Sequence, residues 1–154
     1  MIRFSKGLLD AIMGNAGFRG AMQGGVVRVF SGTRPATAND AIPVGCVELA
    51  RITTDGKTFY PGSDTNAAGL QFSLQSGGVL NGVGAWIVVG RANGIPTWFR
   101  WNWGGVDNNV YSDSLPRIDG DVGPDEMFDL VLPLYSIFPS TRYRLEMFEA
   151  TISG

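Results

Sequence analysis

The stretch that most limits what this chain can become runs from Gly84 to Trp103, GAWIVVGRANGIPTWFRWNW, and holds all 4 tryptophans, Trp86, Trp98, Trp101 and Trp103. β-branched and aromatic residues dominate both halves. Between them Ala92-Asn93-Gly94-Ile95 supplies turn chemistry, because Asn and Gly tolerate positive φ. The pattern predicts a hairpin of Ala85–Arg91 and Pro96–Trp103. In its second strand, alternation sets Phe99, Trp101 and Trp103 on one face and Trp98, Arg100 and Asn102 on the other. An aromatic side chain buries roughly 150–250 Å², so the first set is expected at the centre of the core.

Ahead of this stretch, Met1–Gly25 is the one convincing helical segment. Ser5 stands at an N-cap position, Leu8, Leu9, Ile12 and Met13 recur at helical spacing, and Gly14-Asn15 stops the turn. A second apolar piece, Phe18 with Ala21 and Met22, ends at Gly24-Gly25. Two placements are open: a cap on one end of its own body, or an arm packing on a neighbouring subunit. Residues 1–24 are accordingly read as an N-terminal helical arm and 25–154 as a β-sandwich domain.

From Gly25 the period changes to two. Val26–Phe30 reads as a strand, Ser31–Ala41 as a surface loop and Cys46–Thr53 as a strand. Asp55-Gly56 reads as a tight turn into Lys57–Tyr60, a second hairpin. Pro61–Gly69 is loop, Leu70–Leu74 alternates, Gly77-Gly78 ends it, and Gly104–Ser114 is a loop rich in Gly and Asn. Arg117–Asp121 is a short strand; Phe128–Leu134 alternates with Phe128, Leu130, Leu132 and Leu134 inward. Tyr143–Ile152 is read as one long last strand with a bulge at Met147-Phe148. Short strands with turn signals every few residues predict an all-β, two-sheet β-sandwich, jelly-roll-like, with a short N-terminal helical arm. Strand order stays open.

Chemistry is bounded mainly by what the chain lacks. It has no histidine, which removes His-based acid–base work, His-containing triads and His metal sites. The single cysteine, Cys46, has no internal disulfide partner and is read as a small buried hydrophobe in a strand; a reducing compartment of synthesis follows. No P-loop, G-x-G-x-x-G or G-x-S-x-G motif occurs. Net charge is −2 with no Lys/Arg cluster in the sequence, so direct nucleic-acid binding has no footprint. No apolar run reaches the roughly 20 residues of a membrane helix, and the N-terminus does not read as a secretory signal. No cofactor is expected.

Two acidic groupings carry candidate chemistry. Asp119-Gly120-Asp121 with Asp125-Glu126 offers oxygen ligands for Ca²⁺ but matches no EF-hand spacing. Glu48 with Asp129 or Glu146 is a carboxylate pair for glycoside hydrolysis, against the simpler reading of solvated strand faces. Trp98 beside Arg100, with Asn108, Asn109 and Tyr111 of the following loop, is a candidate ligand-facing platform; the competing reading has the arm or a loop covering that face.

The opening Met1-Ile2-Arg3-Phe4-Ser5, Gly7-Leu8 and Ala11-Ile12-Met13-Gly14 is followed by Gly20-Ala21-Met22, by Gly24-Gly25-Val26-Val27-Arg28-Val29-Phe30-Ser31-Gly32 and by Pro35-Ala36 and Asp40. This run resembles the start of a group of small structural proteins from tailed double-stranded DNA bacteriophages. Trp98-Phe99-Arg100, Arg117-Ile118-Asp119-Gly120, Val122-Gly123 and Asp129-Leu130 are similar to the back half of the same group. Gly123-Pro124-Asp125-Glu126-Met127 departs from it, where a smaller turn is expected. The resemblance implies a virion component made in the host bacterial cytoplasm and carries over no catalytic residue. Its first expectation is a self-associating capsid decoration (cement) protein bridging major capsid protein subunits. Phe4, Leu8, Leu9, Ile12, Met13 and Phe18 would then be arm anchors, with Arg3 and Arg19 as rim contacts to carboxylates. On this expectation, removing residues 1–24 leaves a folded body that no longer attaches. A head-fibre, collar or tail-associated module binding host glycan is the second expectation, and a depolymerase the third.

Overall fold

The structure, a computed structural model, describes residues 1–63, 65, 67–75, 79–145 and 149–151. It is an all-β, sandwich-like fold built from a large sheet and a small one, with two short helices at the start of the chain. The elements are β1 (Arg3–Phe4), α1 (Lys6–Met13), α2 (Gly17–Met22), β2 (Val26–Phe30), β3 (Glu48–Thr54), β4 (Gln71–Gln75), β5 (Val79–Val83), β6 (Trp86–Gly90), β7 (Trp98–Asn102), β8 (Arg117–Gly123), β9 (Leu130–Val131), β10 (Arg142–Arg144) and β11 (Glu149–Thr151). Among the described residues the large sheet runs β1-β8-β7-β2-β3-β6-β10, and the small one β11-β5-β4. β9 pairs in parallel with the far end of β8, sharing that edge with β1.

The tryptophan stretch is two strands, as its residues dictate, but not a hairpin. β6 lies between β3 and β10, β7 lies between β2 and β8, and the pair β2–β3 separates them. The turn chemistry explains the difference. Neither Asn93 nor Gly94 takes the positive φ that a two-residue hairpin turn requires. The connecting backbone bonds elsewhere: Arg91 and Ala92 N–H groups donate to the Leu49 carbonyl, and Gly94 exchanges two hydrogen bonds with Ile137. Asp55 and Gly56 do adopt positive φ, 55° and 67°, and turn the chain sharply. The second expected hairpin still fails, because residues 57–60 leave the turn as coil rather than as a returning strand.

One face of the large sheet is apolar in register. Val88, Ile52, Val27, Trp101, Ile118 and Phe4 follow one another across six strands. Trp101 is the centre of the core, edge-on to Phe72 of the small sheet at 5.8 Å, to Trp86 at 6.0 Å and to Phe18 of α2 at 6.0 Å. Phe99 joins this core, whereas Trp103 stands at its margin, half-buried. Leu49 and Ala50 are both core residues although adjacent, because the β2–β3 register slips between Val29 and Phe30.

Several other expectations are corrected. Cys46 precedes β3 in a loop, is only half-buried, and its Sγ donates to the Thr33 carbonyl at 3.4 Å. Of Phe128–Leu134 only Leu130–Val131 is strand; Leu132 is fully buried, while Phe128 is exposed and lies over Gly123. The last segment is two strands in different sheets, β10 on β6 and β11 on β5, and the bulge expected at Met147-Phe148 lies outside the described residues. Gly77-Gly78 and Glu146 lie outside them as well. β5, which the sequence pattern assigns to no element, is a strand of the small sheet paired with β4.

Candidate functional site

The N-terminal segment lies on its own body. Ser5 caps α1 as its sequence position implies and does more than cap. Its Oγ accepts from the Leu8 N–H at 3.1 Å and from the Arg117 N–H at 2.9 Å, and donates to the Leu115 carbonyl at 2.8 Å. Gly7 sits so close to the loop before β8 that a Cβ would lie 2.3 Å from the Ser114 carbonyl. Leu8, Ala21 and Met22 are core residues, and Ile12 and Phe18 pack against that core.

The expected arm anchors therefore divide. Leu8 is unavailable to any partner, and Ile12 and Phe18 are half-committed. Phe4, Leu9 and Met13 are exposed, together with Met1 and Ile2, with Met13 reaching 87%. The two rim arginines already have partners within the chain. Arg3 donates to the Pro35 and Ala36 carbonyls at 2.9 and 2.6 Å, and Arg19 to the Phe72 carbonyl and Gln23 Oε1, both at 3.1 Å.

The second face of the large sheet carries a row that period-two reading of separate strands does not reveal. Arg51, Arg28, Arg100, Asp119 and Arg3 are consecutive cross-strand partners on β3, β2, β7, β8 and β1. Arg100 grips Asp119 with two hydrogen bonds of 2.7 Å, and both side chains are 0% exposed. Arg117 grips Asp107 the same way, with two bonds of 2.6 Å. Glu48 accepts from Arg28 at 3.0 Å and from Arg51. Loops at residues 31–47 and 103–116 roof this face: Arg100 donates to the Asp40 carbonyl, Arg117 to those of Asn39 and Val110, and Arg28 to Asn109 Oδ1.

This roof overturns the ligand-facing platform. Trp98 is fully buried, stacked on Phe30 at 4.5 Å with the rings 16° apart, and Arg100 lies beneath the loop. Asn109 takes φ 64° and is tied into the roof, so only Asn108 and Tyr111 of that set face outward. The acids are not a solvated face either. Burial pushes the Glu48 and Asp107 carboxyls up, but the arginines bonded to them outweigh it and hold both below the usual range. For Asp119, fully enclosed, burial wins and raises the carboxyl against the pull of Arg100. Asp129 bonds the Met1 ammonium at 3.0 Å, and no group of three acids or cysteines converges on a metal position among the described residues. The sequence signal for the row was present: a lone arginine set among apolar or aromatic residues in VVRVF, LARIT and WFRW, and the aspartate of RIDG.

Comparison of the chain with protein-family models, with curated proteins and with solved structures gives no match.

Proposed function

We propose that the chain is a bacteriophage virion structural protein, a capsid decoration protein that bridges major capsid protein subunits and associates with its own copies. The observation that carries this reading is the concentration of exposed apolar side chains on the anchored N-terminal segment: Met1, Ile2, Phe4, Leu9 and Met13. Leu9 and Met13 lie one helical turn apart on one face of α1. Because Ser5 and the β1–β8 pairing hold this segment, docking it costs little ordering entropy. Apolar burial at roughly 25 cal/mol per Å² then supplies the contact, and repetition by symmetry turns weak contacts into firm attachment. The buried Arg100–Asp119 and Arg117–Asp107 pairs support the same reading, since they neutralise one another beneath a roof instead of lining a cleft.

Removing residues 1–24 does not test this cleanly, because it strips Leu8, Ala21 and Met22 from the core. The test is the double substitution Leu9→Glu with Met13→Glu, which changes only exposed positions. The expected result is an unchanged melting curve, a lower mass by light scattering at high concentration, and loss of co-sedimentation with capsids. Undiminished co-sedimentation would sink the proposal, as would a saturable glycan-dependent shift in tryptophan fluorescence with no capsid binding.

A further inference from the structure

Beyond the roofed row, the cross-strand series continues outward from Arg51 through Val89 of β6 to Arg142 of β10. A cleft of about 90 Å³ lies here, lined among others by Arg51, Gly56, Lys57, Phe59, Val89 and Arg91. Three cations line it and no acid does. We infer that this cleft is a binding site for a tetrahedral oxyanion, of the phosphate or sulfate class.

Glu48, half-buried beside the cleft, is committed to Arg28 and Arg51. Its distance to Arg91 Nε is 3.9 Å, and Asp55 stands 3.9 Å from Lys57 Nζ, both beyond hydrogen-bond reach. Lys57 and Arg91 are thus ion-paired with these carboxylates, yet among the described residues neither side chain makes a hydrogen bond, and both bring free N–H donors to one cleft. A guanidinium offers oxyanions a forked pair of donors, and an ammonium adds a point charge. The shape is fixed by the Asp55-Gly56 turn, where Arg142 packs on Gly56 and donates to the Asp55 carbonyl at 2.9 Å. Phe59, largely buried, forms an apolar wall. A water needs about 10–15 Å³ of such volume, so the cleft takes one tetrahedral anion with part of its hydration.

The inference is independent of the docking face on α1. Its test is titration of the full chain with inorganic phosphate, followed by amide nuclear magnetic resonance shifts at constant ionic strength set with chloride. The expected result is saturable shifts centred on residues 56–59 and Arg91, with an apparent Kd on the order of 1 mM. Lys57→Gln with Arg91→Gln, both at half-exposed positions, should weaken that Kd about tenfold while leaving the remaining spectrum in place. Shifts that stay linear, an unchanged Kd in the double variant, or equal binding of acetate would each overturn the assignment.

Discussion

Asp119→Ala is the sharpest probe of the roofed arginine row. It removes both 2.7 Å hydrogen bonds from Arg100 and leaves a guanidinium that is 0% exposed with one remaining carbonyl, Asp40, at 3.0 Å. Breaking a buried pair by deleting one partner costs about 3–5 kcal/mol, since the surviving charge stays desolvated. Against a domain stability of about 5–15 kcal/mol, that is a large fraction. For a chain of this length it corresponds to a fall in Tm of roughly 6–20 °C. Urea unfolding followed by tryptophan fluorescence measures it directly, because Trp98 lies against Arg100 with 5.8 Å between the guanidinium and the ring. The paired variant Arg100→Met with Asp119→Leu removes both charges and should recover most of the loss. A cost for Asp119→Ala below about 1 kcal/mol, or a paired variant as unstable as the sum of the singles, would refute the account of a desolvated pair.

Other outcomes follow from the same contacts. Leu8→Ala should cost about 2–5 kcal/mol and Leu9→Ala less than about 0.5, a contrast in thermal melts that distinguishes a packed helix from a projecting arm. Gly7→Ala improves helix propensity by about 1 kcal/mol, yet its Cβ meets the Ser114 carbonyl. Net destabilisation in denaturant titration is therefore expected, and a gain in stability would mean that α1 is not seated there. Glu48 and Asp107 titrate below their unfolded values, so the stability they contribute is present above about pH 4.5 and is lost as pH falls through their folded values. Asp119, shifted upward, acts in the opposite sense and partly offsets that loss. Urea midpoints measured from pH 7 to pH 3 should fall on acidification, and Asp107→Asn should flatten the slope.

Local physics was readable from the chain itself. Ser5 caps α1 and Gly14 ends it, Val26–Phe30 is β2 to the residue, and the alternation of Phe99 and Trp101 correctly aimed both at the core. Each of these follows from side chains within a few positions of one another, which is the range over which capping and period-two burial act. β5 was missed because Asn81 and Gly82 interrupt its apolar pattern, and its place comes from pairing with β4 and β11.

What residues far apart in the chain do to one another was decided only by the tertiary structure. An Asn-Gly turn between two strong strands did not pair them, since β2–β3 supplied β6 and β7 with other partners and hydrogen bonds. The exposure of Trp98 and Arg100 depended on loops from residues 31–47 and 103–116 whose carbonyls bond the arginines. The leading segment became a cap because Leu8 and Met22 found a core to complete. Strand order, roofing and docking are sums over distant contacts. Period and turn chemistry therefore fix where elements form, while burial of the sheet faces and pairing of buried charges such as Arg100 with Asp119 fix where they go.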